Sequence, residues 1–110
     1  MTKPPIELLQ GTVDVLILRT LAWEPMHGYA VSRFIRQRTD GVLTIESAAL
    51  YQALHRLERK KWIRAEWGLS ENNRRAKYYE LTAEGRKQLR AEAATWKIYA
   101  EAVSKVLEPV

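Results

Sequence analysis

The residues best suited to chemistry in this 110-residue chain lie between positions 47 and 61. Leu50, Leu54 and Leu57 are spaced i, i+4 and i+7, which places them on one face of a helix. The opposite face would carry Tyr51, Gln52, His55, Arg56, Arg59 and Lys60. Such side chains read base edges and phosphates in a DNA major groove, which is wide enough to admit a helix. The stretch predicts a groove helix over 47–61, with Ser47 as its N-cap.

The net charge of +5 is concentrated beside this helix. Residues 56–77 contain eight Lys and Arg residues against three Glu residues, whereas acids and bases balance in 1–55 and in 78–110. One interpretation is a solvated surface, because charged runs generally face water. The other is a footprint for a polyanion, and it is favoured because the excess begins on the groove helix and continues directly after it. Double-stranded DNA is therefore the predicted partner.

Several function classes find no support in the sequence. The chain has no cysteine and only two histidines, His27 and His55, which are too few for a metal site without thiolates. It shows no Ser/His/Asp order, no acidic pair near a histidine and no glycine-rich phosphate loop. We therefore expect no enzyme activity, no cofactor and no metal. The absence of a signal peptide or of a membrane-length apolar run predicts a cytoplasmic protein without a membrane partner.

Two further helices are predicted ahead of the groove helix, over 6–22 and 27–38. The first ends before Pro25, because the residue preceding a proline disfavours the helical region. In the second, His27 is interpreted as a capping residue. Its inward side chains are predicted to be Tyr29, Ala30, Phe34 and Ile35.

The sequence then changes to a period of two, which predicts a β-hairpin. Ile63, Ala65 and Trp67 would face inward from a strand over 62–67. Tyr79 and Leu81 would do so from a strand over 77–81, with a turn-rich segment over 68–76 between the strands. The residues predicted to contact DNA from this hairpin are Asn73, Arg74, Arg75 and Lys77. The alternative is that these residues merely keep the hairpin edge soluble.

A last helix should begin at the cap Thr82 and reach about Leu107. One side of it follows 4-3-4-3-4 spacing and forms an a/d seam: Leu89, Ala93, Trp96, Ala100, Val103 and Leu107. Either the first helix covers this seam or a second copy of the chain does, and we predict a homodimer. Trp96 lies between two seam alanines, so it either packs as a knob or borders a slot for a small aromatic effector.

Three helices followed by a hairpin with a basic tip form a winged helix-turn-helix domain. We therefore predict a mainly α fold with a small β-hairpin, in which 1–82 bind DNA and 83–110 form a C-terminal dimerisation helix.

Four motifs, residues 9–14 (LQGTVD), 26–29 (MHGY), 50–58 (LYQALHRLE) and 77–85 (KYYELTAEG), together resemble the PadR family of bacterial transcriptional regulators. The resemblance covers nearly the whole chain and is closest to the smaller members with one C-terminal helix. It implies a homodimeric repressor, often of a neighbouring gene or of its own, with DNA contacts from Tyr51 and the basic residues of the hairpin. It also implies paired C-terminal helices and, in some members, relief of repression by small molecules or partner proteins.

The chain departs from the family pattern at the start of the groove helix. Ala48 and Ala49 stand where the family often has Gly followed by Ser or Thr, so a hydroxyl that could bind phosphate is lost. Gln52 stands where proline is frequent, and its amide could read adenine. The rival hypothesis is a winged-helix interaction module that does not bind DNA.

Overall fold

The computed structural model describes residues 10–109, which form four helices and three strands. In chain order these are α1 (Gln10–Leu21), β1 (Met26–His27), α2 (Gly28–Arg38), α3 (Ser47–Arg59), β2 (Ile63–Leu69), β3 (Arg75–Leu81) and α4 (Ala83–Leu107). The order confirms the predicted mainly α fold with a hairpin and a long C-terminal helix. Residues 6–9 of the predicted first helix lie outside the described residues.

The core lies between the helices and the base of the hairpin. Its fully buried side chains include Ile17 and Leu18 of α1, Leu54 and Leu57 of α3, and Ile63 of β2. The apolar underside of α3 is thus confirmed. In α2 the buried face is formed by Gly28, Val31 and Ile35, and Tyr29 is exposed. The prediction that Tyr29 faces inward was wrong, because one residue along a helix turns a side chain by about 100°.

The N-cap of α3, the predicted groove helix, lies one residue earlier than predicted. Glu46 is the N-cap, since the Leu50 N–H donates to its carbonyl at 2.9 Å, and Ser47 is already helical. At the other end, Lys61 has a φ of 63°. The N–H groups of Lys61 and Trp62 donate to the carbonyls of Glu58 and Leu57 at 3.0 and 3.1 Å. This Schellman arrangement ends α3 and directs the chain into β2.

β2 and β3 pair antiparallel from Ile63–Leu81 to Leu69–Arg75 and form the hairpin, called the wing below. Both strands run further than predicted, so the turn shrinks to residues 70–74. β1 adds a third strand on the other side of β3, which the sequence analysis missed. Two residues are too few to show the alternation by which a strand is recognised.

Trp67 is exposed, contrary to prediction, although it lies on the predicted face of β2. Ile63 and Trp67 share that face, and Ile63 is buried. Because a strand advances about 3.3 Å per residue, a seven-residue wing extends past the edge of the core. Periodicity gives the direction of a side chain but not how far the core beneath it extends.

α4 is joined to the wing by Thr82, which caps the helix as predicted. The Gly85 N–H donates to its hydroxyl at 3.0 Å, and that hydroxyl donates to the Lys61 and Trp62 carbonyls at 2.8 and 2.9 Å. Gly85 is buried against the same carbonyl: a Cβ at this position would stand 2.0 Å from the Trp62 oxygen.

The first residue of the α4 seam, Leu89, packs against the core, and α4 contacts α1. Further along, Trp96, Val103 and Leu107 are exposed. Within the described residues, α1 alone therefore does not cover the seam.

Candidate nucleic-acid interface

The polar face of α3 borders a shallow groove of about 610 Å³, called the helix groove below. Tyr51, Gln52, His55 and Arg59 line it and are all exposed. The leucines on the opposite side of the helix are buried in the core and fix the orientation of this face. The side chains that the sequence predicted for base reading are thus brought together on one accessible surface.

Tyr51 is held in place by α2. A Cβ on Gly28 would stand 2.9 Å from the Tyr51 ring and hydroxyl, so the ring occupies the space that any larger residue at 28 would need. His27, the residue before, caps α2: the Ala30 N–H donates to its Nδ1 at 3.2 Å. The predicted capping role of His27 is confirmed. The start of α2 therefore supports the middle of α3.

Arg56 has a partner inside the protein. Its Nη2 donates to Oδ1 of Asp14 on α1 at 2.5 Å, and its Nε is buried without a partner among the described residues. This ion pair joins α1 to α3 and competes with the DNA contact predicted for Arg56, which stays a prediction. Asp14 was missed by the sequence analysis, because nothing in local spacing links residues that far apart in the chain.

The basic residues of the wing differ in what holds them. Arg74 is exposed in the turn, where the preceding residue, Asn73, has a φ of 58°. The Arg75 guanidinium lies over the Trp67 ring, 4.5 Å from its centroid. The Lys77 ammonium donates a hydrogen bond to Oε1 of Glu58 on α3 at 3.2 Å, and this ion pair joins the wing to the groove helix. The Lys60 ammonium lies 4.5 Å from the centroid of the Trp62 ring, outside the lining of the helix groove, and the DNA contact predicted for it stays a prediction.

A second groove, of about 520 Å³, separates the wing from the starts of α2 and α3 and is called the wing groove below. It shares Tyr51 and Tyr79 with the helix groove, so the two are continuous. None of the described residues that line either groove is acidic. The groove on the other face of the sheet, in contrast, is lined by both Glu66 and Glu80. The groove lining on the α3 side of the sheet is therefore positively charged, whereas the lining on the other side carries both signs.

Tyr79 lies at the floor where the two grooves meet. Burial raises the pKa of its hydroxyl, the Lys77 ammonium opposes this shift, and Glu58 and Tyr51 add to it. The group therefore stays a neutral phenol, which can donate a hydrogen bond to an acceptor in the groove.

The described residues contain no group of three or more His, Asp or Glu residues able to hold a metal ion. None of the helices between residues 10 and 109 is long and apolar enough to cross a membrane.

Comparison with known proteins identifies the family. Residues 17–91 match the PadR-like family of transcriptional regulators. An uncharacterised protein of Lysinibacillus sphaericus is 30% identical over 102 residues, which is 93% of this chain and 94% of that protein.

Two solved structures share the fold. A transcriptional regulator of Clostridium thermocellum is 32% identical with a TM-score of 0.82, over 90% of this chain and 96% of that one. A PadR family regulator of Eggerthella lenta is 34% identical with a TM-score of 0.74, over 92% and 86%. The chain belongs to the PadR-like family, and it is a winged-helix transcriptional regulator rather than an enzyme.

Proposed function

We propose that this regulator is a repressor that binds specific double-stranded DNA sequences in the cytoplasm as a homodimer. In this proposal α3 enters the major groove, and residues 68–77 of the wing contact the backbone or the minor groove. The observation that carries it is the continuous pair of grooves around Tyr51, whose described lining residues include basic and hydrogen-bonding side chains but no carboxylate. Such a surface attracts a polyanion, and its helix presents base-reading groups.

Within α3, Gln52 and Arg59 are the proposed base readers, since a Gln amide pairs with adenine and a guanidinium pairs with guanine. Tyr51, His55 and Ser47 are assigned to phosphate or base contacts at the same face. Arg56 contributes when its remaining N–H groups reach the DNA while Asp14 holds Nη2. On the wing, Arg74, Arg75 and Asn73 are proposed to contact the backbone, whereas Lys77 also holds the wing against Glu58.

The dimer is proposed to form through the C-terminal helix, residues 83–110. The exposed seam residues Trp96, Val103 and Leu107 give a second copy an apolar surface to cover. Two-fold symmetry would then place two copies of α3 about one DNA turn, ~34 Å, apart.

Trp96 is proposed either as a knob in that interface or as one wall of a slot for a small aromatic effector. An effector in the slot would alter the angle between the protomers and hence the spacing of the two α3 helices. That change would favour the state with lower affinity for DNA.

The experiment is a selection of bound duplexes from a random pool, followed by affinity measurements at several salt concentrations. We expect one enriched sequence and a steep salt dependence. Gln52→Ala should lose about 1–3 kcal/mol of discrimination at one position. Arg74→Ala combined with Arg75→Ala should weaken all duplexes similarly and flatten the salt slope by about two units. If no sequence is enriched and binding does not depend on salt, the alternative is favoured: a winged-helix module that acts through protein contacts alone.

A further inference from the structure

Three exposed aromatic residues from three different elements border the wing groove. Tyr29 belongs to α2, Tyr51 to α3 and Trp67 to β2. Scattered exposed aromatics are ordinary, but three around one groove form a patch, and such patches mark interaction sites. Neither Tyr29 nor Trp67 is among the residues proposed above to contact DNA.

The charged residues that line this groove indicate which kind of ligand binds there. Arg74, Arg75 and Lys77 line one side, and none of the described lining residues is acidic. Aromatic faces pack against sugars, and cations and hydroxyls bind phosphates. The groove continues into the helix groove along α3, and a DNA strand that borders the major groove must run beside the helix inserted there. A sugar-phosphate backbone therefore matches the charge, the chemistry and the direction of the groove.

The contact between Trp67 and Arg75 prepares one of these cations for binding. The two residues sit on the same face of the wing, two register positions apart, with the guanidinium 4.5 Å from the ring centroid. A flexible arginine loses side-chain entropy when it is fixed on a phosphate. Stacking on an indole fixes the guanidinium plane beforehand and leaves its N–H groups free to donate.

We propose that the wing groove holds the sugar-phosphate backbone of one duplex strand, and that Trp67 is a positioning residue that acts by holding Arg75 against a phosphate. This inference rests on the proposed function, because it assigns a further contact to the same DNA-binding face. It explains why a large indole is left exposed on the same strand face as the buried Ile63.

Trp67→Leu tests the proposal, since leucine keeps an apolar strand residue but removes the stacking surface. The probe is a labelled duplex of about 30 base pairs, long enough for two half-sites one turn apart. We expect about fivefold weaker binding, with an unchanged thermal unfolding midpoint. Trp23→Leu is the matched control: Trp23 is 59% exposed against 57% for Trp67, and Arg19 lies over it at 5.2 Å, but it borders neither groove. Its affinity should equal that of the parent.

A double-mutant cycle distinguishes positioning from direct contact. Arg75→Gln should lower affinity by about tenfold and reduce the salt slope by about 0.9. In that background Trp67→Leu should have no further effect, because the group it positions is gone. Additive losses, or equal affinities for Trp67→Leu and Trp23→Leu, would overturn the proposal while leaving DNA binding intact. A parent protein that does not bind the duplex overturns the proposed function itself.

Discussion

At the scale of single residues, the Asp14–Arg56 pair joins the core to the polar face of α3. The side chains are 9% and 20% exposed, so water screens their attraction weakly. Asp14→Ala should therefore lower the free energy of unfolding by about 2–4 kcal/mol, since it leaves a partly buried guanidinium without its counter-ion. Urea denaturation measures the change.

The exposed Arg64–Glu80 pair provides the control for that substitution. Its side chains are 73% and 41% exposed. Glu80→Ala should cost less than about 1 kcal/mol, because exposed ion pairs contribute little. Equal losses in the two variants would mean that the Asp14–Arg56 pair is no more than a surface contact.

Gly85 makes a second prediction at this scale. A Cβ here would stand 2.0 Å from the Trp62 carbonyl oxygen, and backbone cannot move as easily as a side chain tip. Gly85→Ala should lower the melting temperature strongly, with a loss of about 3 kcal/mol or more. Gly11→Ala is the comparison: a Cβ at Gly11 meets none of the described residues within 4 Å, and alanine should stabilise α1 by about 0.5–1 kcal/mol. Similar melting temperatures for the two variants would contradict the close contact at Gly85.

At the scale of elements, most of the fold followed from periodicity and end signals. The leucines of α3, the cap Thr82 and the alternation of Ile63, Tyr79 and Leu81 each predicted a local structure that is observed. The failures share a cause. The exposure of Trp67, the two-residue strand β1 and the Asp14–Arg56 pair all depend on which distant element lies opposite. Such pairings leave no local pattern in the sequence.

The pKa of Glu92 on α4 depends on burial and on charged residues of neighbouring segments. Burial raises its pKa above the ordinary value of 4.5, Asp14 of α1 adds to the shift, and Lys60, which directly follows α3, opposes it. A carboxyl with a raised pKa binds its proton more tightly in the folded protein. Its contribution to stability is therefore present below pH 4.5 and is lost as the pH rises through the folded value.

Glu92→Gln should for that reason be more stable than the parent at neutral pH. The advantage should disappear in acid, where the parent carboxyl is protonated as well. Unfolding curves recorded across this pH range provide the test. A constant difference at all pH values would show that the substitution acts through packing rather than through charge.

At the scale of the whole molecule, the proposed dimer depends on the exposed seam of α4. We expect a dimer in sedimentation at micromolar concentration, and Val103→Glu should convert it to a monomer, because a buried carboxylate without a partner is costly. Ile98 is also exposed but lies off the seam, so Ile98→Glu should leave the dimer intact. The reverse outcome would assign the interface to the other side of α4.

The contact between Gly28 and Tyr51 has a consequence for how this regulator diverges among its descendants. What a Cβ at 28 would meet is the end of a side chain, within 3 Å, and such an end can swing aside. A lineage that acquires alanine at 28 should therefore keep its fold while turning the Tyr51 ring on the proposed DNA face. Its preferred DNA sequence would then change before its stability does. Residues 28 and 51 should therefore vary together because both affect which DNA sequence is bound, and not because both affect folding.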